Sequence, residues 1–350
     1  MTTKKDIESA LMRGADTLRD TIDAANYKDY VLPVMFVKYL SDSYTDAVEK
    51  LSKQYSDIRL ERQKKYLPFM VAEGCSFYDL YQQRFADNIG QLMNAAMRQI
   101  EADNNQQLAG VLSAVDYNSE NALGTREHKN AILRDLLEDF EPLDLRPSAI
   151  EVKEGQVPAD VIGDAYEYMI GQFASMAGKK AGSFYTPAAV SEIMARIVDV
   201  QPGERVYDPT CGSGSLLIKA TKKQNSKEVS IYVQEVNGSS VAMAKMNMYI
   251  HEIRDAKIGW GDTLANPVFL DADGNLLLFD AIVANMPFSK DKWASGFNPG
   301  GESSGRGKKE FKMEASLDKF HRFDWGVPPS SKGDYAFVLH MLHSLDAENG

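Results

Sequence analysis

Arg205-Val206-Tyr207-Asp208-Pro209-Thr210-Cys211-Gly212-Ser213-Gly214-Ser215 decides the fold of this chain. Its first three residues read as a short strand, the glycines as a tight turn, and residues 215–222 as the helix that follows. A strand that turns at once into a helix opens a βαβ unit. Working outward, residues 230–234 read as a second strand, 241–253 as a second helix, 256–259 as a third strand, 280–284 as a fourth and 335–345 as a further helix. Strands and helices alternating at this spacing predict an α/β fold, a doubly wound, mostly parallel Rossmann-like sheet with right-handed crossovers. Ligands of such sheets bind at the carboxyl edge of the strands.

Upstream the pattern changes. Apolar residues recur at helical spacing over residues 4–99, as in Ile7, Leu11, Leu18 and Ile22, then Val31, Val34, Met35, Val37 and Leu40. Residues 30–40 are apolar almost all round, which suits a helix buried in a bundle with Pro33 in its first turn. Residues 42–66 are far more polar. Helices are expected again over 77–84, 89–100 and 129–140, and Pro142, Pro147 and Pro158 punctuate the exit. The chain is therefore expected to divide into an α-helical part, 1–150, and an α/β part, 151–350. A sheet of this type takes more strands after the fourth, so the second part is expected to be incomplete at Gly350.

A chain of 350 residues has room for about two domains. Hydrophobic content of 44% and charged content of 25% are ordinary for a globular protein and name no function. No basic-then-apolar leader opens the sequence, and its apolar runs fall far short of the roughly 20 residues that span a bilayer. A cytoplasmic location without membrane contact is expected. The two cysteines, Cys75 and Cys211, are too few for a disulfide framework, and no metal site is expected. The net charge of −11 argues against a chain that coats nucleic acid by itself. Residues 289–332 differ, with nine Lys or Arg against six Asp or Glu and a Gly/Ser-rich run at 296–307. They read either as a solvated polar loop or as a lid that orders on a partner, and their length favours the second.

In Asp208-x-x-x-Gly212-x-Gly214 the glycines let the backbone turn tightly and bring N–H groups close to a ligand, although a plain turn has the same composition. Leu217 stands where Gly-x-Gly-x-x-Gly needs its third glycine, and no phosphate loop occurs, so a nucleoside without a polyphosphate is the better ligand. Glu235 ends the second strand, where a carboxylate can accept from both ribose hydroxyls; the alternative is a charged strand end. Asp262 follows the third strand and can accept from an adenine amino group, or close an Asx turn. Asp208, Glu235 and Asp262 thus share one edge of the sheet.

The fourth strand ends in Asn285-Met286-Pro287-Phe288, a grip for a planar amine. Asn285 offers a carboxamide oxygen, Met286 a main-chain carbonyl, Pro287 a fixed chain direction and Phe288 a face for stacking, unless that ring is simply core. Beside a cofactor turn, such a grip points to methylation of an amino group. A cytosine-C5 methylation would need a thiolate nucleophile. Cys211 lies in the cofactor turn and Cys75 in the helical part, so neither suits.

Gly182-Ser183-Phe184-Tyr185-Thr186-Pro187, the Asp208–Gly214 turn, Gln234-Glu235-Val236-Asn237, Asn285-Met286-Pro287-Phe288 and Asp334-Tyr335-Ala336-Phe337, in this order, resemble the modification subunit of type I restriction-modification systems, an adenine-N6 DNA methyltransferase. The resemblance covers nearly the whole chain. It implies S-adenosylmethionine as cofactor, with Ser183, Phe184, Tyr185, Thr186 and Pro187 toward its methionine part. Asp208, Gly212, Ser213, Gly214 and Ser215 would form the glycine-rich loop, Glu235 the ribose ligand and Asp262 the adenine ligand. Asn285, Met286, Pro287 and Phe288 would hold a flipped adenine of duplex DNA. The partners implied are a specificity subunit, a second copy of the chain and an optional restriction subunit, with the helical part serving partner or DNA contact. Met286 departs from the family's Asn-Pro-Pro-Phe/Tyr. Two other readings stay open: methylation of a protein glutamine or an RNA amine, and a non-catalytic scaffold that binds cofactor.

Overall fold

The computed structural model describes residues 1–55, 66–178, 185–222, 228–288, 290–298, 311–348 and 350. They form two compact units, Met1–Ala181 with Lys245–Glu252, and Gly182–Ala244 with Ile253–Gly350. No described helix is long and apolar enough to cross a membrane.

The first unit is helical, with its longer helices at Lys4–Thr17, Tyr27–Gln54, Phe77–Gln82, Ile89–Asp103, Arg126–Phe140 and Pro158–Ala177. Thr3 and Asp6 close a capping box on the first of these, and Ser76 and Asp79 do the same for the third. The second begins at Tyr27, so Pro33 lies inside it rather than in its first turn as expected. An interior proline costs about 3 kcal/mol. Val31, Leu32, Val34, Met35, Phe36, Val37 and Leu40 are all buried, and each such side chain contributes roughly 1.5–3 kcal/mol, which outweighs that cost. The polar residues beyond Leu40 continue the helix because they find internal partners. Lys38 and Asp42 form a buried ion pair at 2.6 Å, Asp42 also accepts from Tyr78 Oη and from Leu145 N, and Asp46 accepts from Ser148.

Helix Pro158–Ala177 was not expected from the proline punctuation. Pro158 opens it at a position where no intrahelical N–H is required. The helix packs on Lys4–Thr17, so the compact units part at 181/182 although the sequence pattern changes near residue 150.

In the second unit, strands β1 (Arg205–Asp208), β2 (Ser230–Glu235), β3 (Lys257–Trp260) and β4 (Ala281–Ile282) form a parallel sheet in the order β3-β2-β1-β4. This is the expected α/β architecture. Register sets Asp208 beside Val233 and Glu235 beside Trp260. The ordered pairing of β4 is two residues, shorter than expected, with Val283 N adding one more bond to Tyr207 O at 3.0 Å. After helix Gly333–Ser344 the chain returns alongside, and Leu345 bridges Phe279 in parallel. Tyr207 stacks on Phe279 with centroids 4.4 Å apart. Helix Ala188–Val198, also not expected, packs on helix Ser215–Thr221.

The connection after β4 is not a solvated loop where it is described. Trp293, Ala294, Met313 and Phe323 are buried with Leu264, Ala336 and Phe337 in one apolar cluster. Of the Gly/Ser-rich run, residues 299–307 lie outside the described residues.

Candidate active site

The order β3-β2-β1-β4 reverses direction between β1 and β4, the position where open α/β sheets bind ligands. A cleft of about 320 Å³ opens at the carboxyl edge there. Two of the glycines have φ of +53° (Gly212) and +76° (Gly214), the left-handed region that a side chain rarely adopts. The turn they make is stitched to the end of β2. Cys211 N donates to Gln234 O at 3.1 Å, and Gly212 N donates to Glu235 Oε2 at 3.0 Å.

Glu235 takes a second N–H, from Asn237, on Oε1 at 2.8 Å. Its carboxyl is pushed up by burial, against these backbone bonds that favour the charge. Glu235 lines the cleft, and each oxygen, with one N–H taken, keeps a lone pair, as accepting from a vicinal diol requires. Asp262 closes the Asx turn, accepting from Leu264 N at 2.9 Å and Ala265 N at 3.2 Å on Oδ1. Its other oxygen lies 3.9 Å from Lys290 Nζ. The two readings of Asp262 are therefore compatible, because the turn occupies one oxygen and leaves the second.

Asp208 stands behind the cleft wall. It is buried, accepts from Thr210 N at 2.9 Å, and burial pushes its carboxyl up to about 7, with Thr210 N–H opposing and the Glu235 charge adding to the shift.

Asn285 Nδ2 donates to Thr186 Oγ1 at 3.2 Å, joining two sequence motifs 99 positions apart in one cleft. With the amide nitrogen engaged, the carboxamide oxygen is left for an acceptor's N–H. Met286 turns its side chain onto the cluster of Leu264, Trp293 and Phe323. Phe288 is 76% exposed and is not core.

Of the expected site residues, Tyr185, Thr186, Gly212, Glu235, Asp262, Asn285 and Pro287 line the cleft. Pro187 caps the helix that follows, and Ser213 and Ser215 are buried against each other on either side of Gly214. Ser183 and Phe184 lie outside the described residues. The cleft adds Pro209, Thr210, Cys211, Val236, Asn237, Thr263 and Phe337, neighbours of the expected residues to which the sequence assigns no role, and Lys290 from the connection after β4. Thr210 Oγ1 is buried there with no hydrogen-bond partner among the described residues. A nucleoside fits these donors and acceptors: a diol at Glu235, a base edge at Asp262, apolar walls at Pro209 and Phe337, and a hydroxyl still to be paired.

Residues 157–350 match the N-6 DNA methylase family, and residues 7–140 match the HsdM N-terminal domain. This chain belongs to the N-6 DNA methylase family. It is 29% identical to the type I restriction enzyme MpnII methylase subunit of Mycoplasma pneumoniae, over 98% of this chain and 66% of that protein. To the type I restriction enzyme MjaVIII methylase subunit of Methanocaldococcus jannaschii it is again 29% identical, over 97% of this chain and 55% of the relative. The crystal structure of the type I restriction-modification system methyltransferase subunit from Streptococcus thermophilus superposes with a TM-score of 0.72 at 27% identity, covering 100% of this chain and 74% of that one. This N-6 DNA methylase chain thus spans 55–66% of the length of the curated relatives quoted. The family matches break between residues 140 and 157, whereas the compact units part after helix Pro158–Ala177.

Proposed function

We propose that this chain transfers the methyl group of S-adenosylmethionine to N6 of adenine in duplex DNA, as the catalytic subunit of a type I restriction-modification complex. The observation that carries the reading is the placement of Asn285, held by Thr186, in the same cleft as Glu235 and Asp262. S-adenosylmethionine, when bound, supplies a methyl group activated by its positively charged sulfur. Glu235 holds the ribose hydroxyls, the Asp262 oxygen outside the turn takes the adenine amino group, and Thr210 Oγ1 gains a partner.

The rest of the work falls to the acceptor side. The N6 lone pair of adenine is delocalised into the ring, so the amine is a weak nucleophile. Accepting one N–H on Asn285 Oδ1 and the other on the Met286 carbonyl favours a pyramidal nitrogen whose lone pair is directed at the methyl group. Fixed orientation of this kind supplies several kcal/mol of the barrier. A base inside a duplex must swing out, at a few kcal/mol, and stacking on the exposed ring of Phe288 offsets part of that cost.

Sequence recognition belongs to a specificity subunit, in agreement with a net charge of −11. A second methylase copy and an optional restriction subunit complete the assembly, which acts in the cytoplasm, and the helical unit serves contact with partner or DNA. The test is transfer of labelled methyl to duplex DNA by the full-length protein with its specificity subunit, followed by nucleoside analysis. N6-methyladenine formed only with both subunits is the expected result. Cofactor binding and confirmed assembly without label on DNA would overturn it in favour of a protein or RNA acceptor, or of a scaffold.

A further inference from the structure

We infer that Arg322, which lies outside every site motif, is a positioning residue for the adenine side of the cofactor cleft, holding the turn that aims Asp262. The inference rests on the cofactor reading proposed above.

Arg322 is fully buried. Its Nη1 donates to Thr263 O at 3.3 Å and its Nη2 to Leu264 O at 2.5 Å. These two carbonyls belong to the turn whose amides, Leu264 N and Ala265 N, hold Asp262 Oδ1. Thr263 Oγ1 in turn donates to Pro209 O at 2.6 Å, so the same turn is tied to the loop that follows β1. The guanidinium is itself fixed from behind. Asp318, also buried, accepts from Nε at 3.0 Å and from Nη2 at 2.8 Å. His340 Nδ1 lies 3.1 Å from Nη1. Burial, with the guanidinium charge adding to it, pushes His340 down to about 3, so the ring is neutral. It can then accept on Nδ1 while its Nε2 faces the Tyr207 hydroxyl at 3.3 Å.

The forked geometry is what matters. A buried ion pair is seldom a net source of stability, and an apolar side chain of equal volume would fill the space without desolvating a charge. What a guanidinium adds is direction, since its planar fork reaches two carbonyls, a carboxylate and an imidazole at once; a lysine ammonium is a single point on a flexible stem. Arg322 does not line the cleft, so it acts through Asp262 rather than on a ligand. On the ribose side the Glu235 carboxylate has donors of its own, Gly212 N and Asn237 N.

These separate carboxylate donors supply the test. Calorimetric titration of the full-length protein compares three ligands: S-adenosylhomocysteine, its analogue with hypoxanthine in place of adenine, and its analogue lacking the ribose 2′-hydroxyl. In the wild type both changes should weaken binding. In Arg322→Lys the adenine-over-hypoxanthine preference should fall by about tenfold, the factor associated with one hydrogen bond to a charged acceptor. The ribose preference should stay as it is. Should Arg322→Lys not fold, Asp318→Asn, which keeps one acceptor for the guanidinium, makes the same comparison in milder form. Unchanged preferences, loss of both together, or a wild type indifferent to hypoxanthine would each overturn the positioning role. A wild type that does not bind S-adenosylhomocysteine would instead overturn the cofactor reading on which it rests.

Discussion

The two halves of the cleft are built to opposite rules. On the side of Asp208, Glu235 and Asp262, each carboxylate takes one or two backbone N–H bonds, and two of the three are buried. On the side of Asn285 and Phe288, one side-chain bond to Thr186 orients the amide, and the ring is 76% exposed. A small ligand of constant shape can be met by a site organised in advance, which lowers the ordering cost of binding. A base delivered by a macromolecule must swing in and leave again, and an open, lightly held grip suits that.

The largest expected effect would divide the halves outright. Asn285→Ala should slow methyl transfer about a hundred- to a thousandfold, the loss seen when one oriented group is removed from a reacting centre. Affinity for S-adenosylmethionine, measured by calorimetry, should change little. A comparable loss of cofactor affinity would break the comparison, since the acceptor half would then be part of the cofactor site.

The second expectation concerns what an organised half costs. Asp208 has its carboxyl raised from 3.8 to about 7 by burial, so the folded protein binds this proton more tightly than the unfolded chain does. Its contribution to stability is complete below pH about 4 and is lost as pH rises through about 7. The Asp208→Asn variant has no such loss. Relative to wild type it should gain on the order of 3 kcal/mol between pH about 4 and pH about 8, read from denaturant unfolding at each pH. Parallel stability curves would mean that Asp208 is not desolvated and that the cofactor half is less closed than it looks.

A smaller effect separates the carboxylates from one another. Glu235→Gln keeps the shape and one acceptor but removes the charge that both ribose hydroxyls would meet. Cofactor affinity should fall about tenfold or somewhat more, with the transfer rate at saturating cofactor largely retained. Unchanged affinity would leave Glu235 as a clamp for Gly212 and Asn237 alone.

The two halves also differ in how far they could be read from sequence. Asp208, Glu235 and Asp262 stand at the ends of strands whose alternation with helices is local, so one edge of the sheet could be assembled on paper. Asn285 was legible for the same reason. Its bond to Thr186 was not, because the partners are 99 positions apart and only the fold joins them. Lys290 and Arg322 looked alike in sequence, as two cations of one basic connection. The structure places Lys290 on the cleft wall and buries Arg322 against Asp318, Thr263 and Leu264, a separation set by long-range contacts that no period encodes. Proline misled twice. Pro158 was read as punctuation where it opens a helix, and Pro33 as a first-turn residue where burial of its neighbours overrides the lost bond.

The smallest expected effect tests whether the openness of the acceptor half is a defect. Met286 stands where the resemblance calls for a second proline, which makes Met286→Pro the obvious attempt to restore rigidity. Two observations argue otherwise. Pro287 already confines the residue before it to extended conformations, so a further proline removes little freedom. The Met286 side chain meanwhile packs on the cluster of Leu264, Trp293 and Phe323, and a proline ring would vacate part of that contact. Stabilisation by proline at a compatible site is about 0.4–1 kcal/mol, while deleting buried methylenes costs about 0.8 kcal/mol each before any cavity term. The balance favours a loss on the order of 1 kcal/mol, seen as a small fall in Tm, with the transfer rate within a few-fold because position 286 still offers its carbonyl. A rate rising tenfold or more would mean that backbone slack at 286 limits the acceptor half, and that its light hold on the base is a shortcoming of this chain rather than a requirement of its substrate.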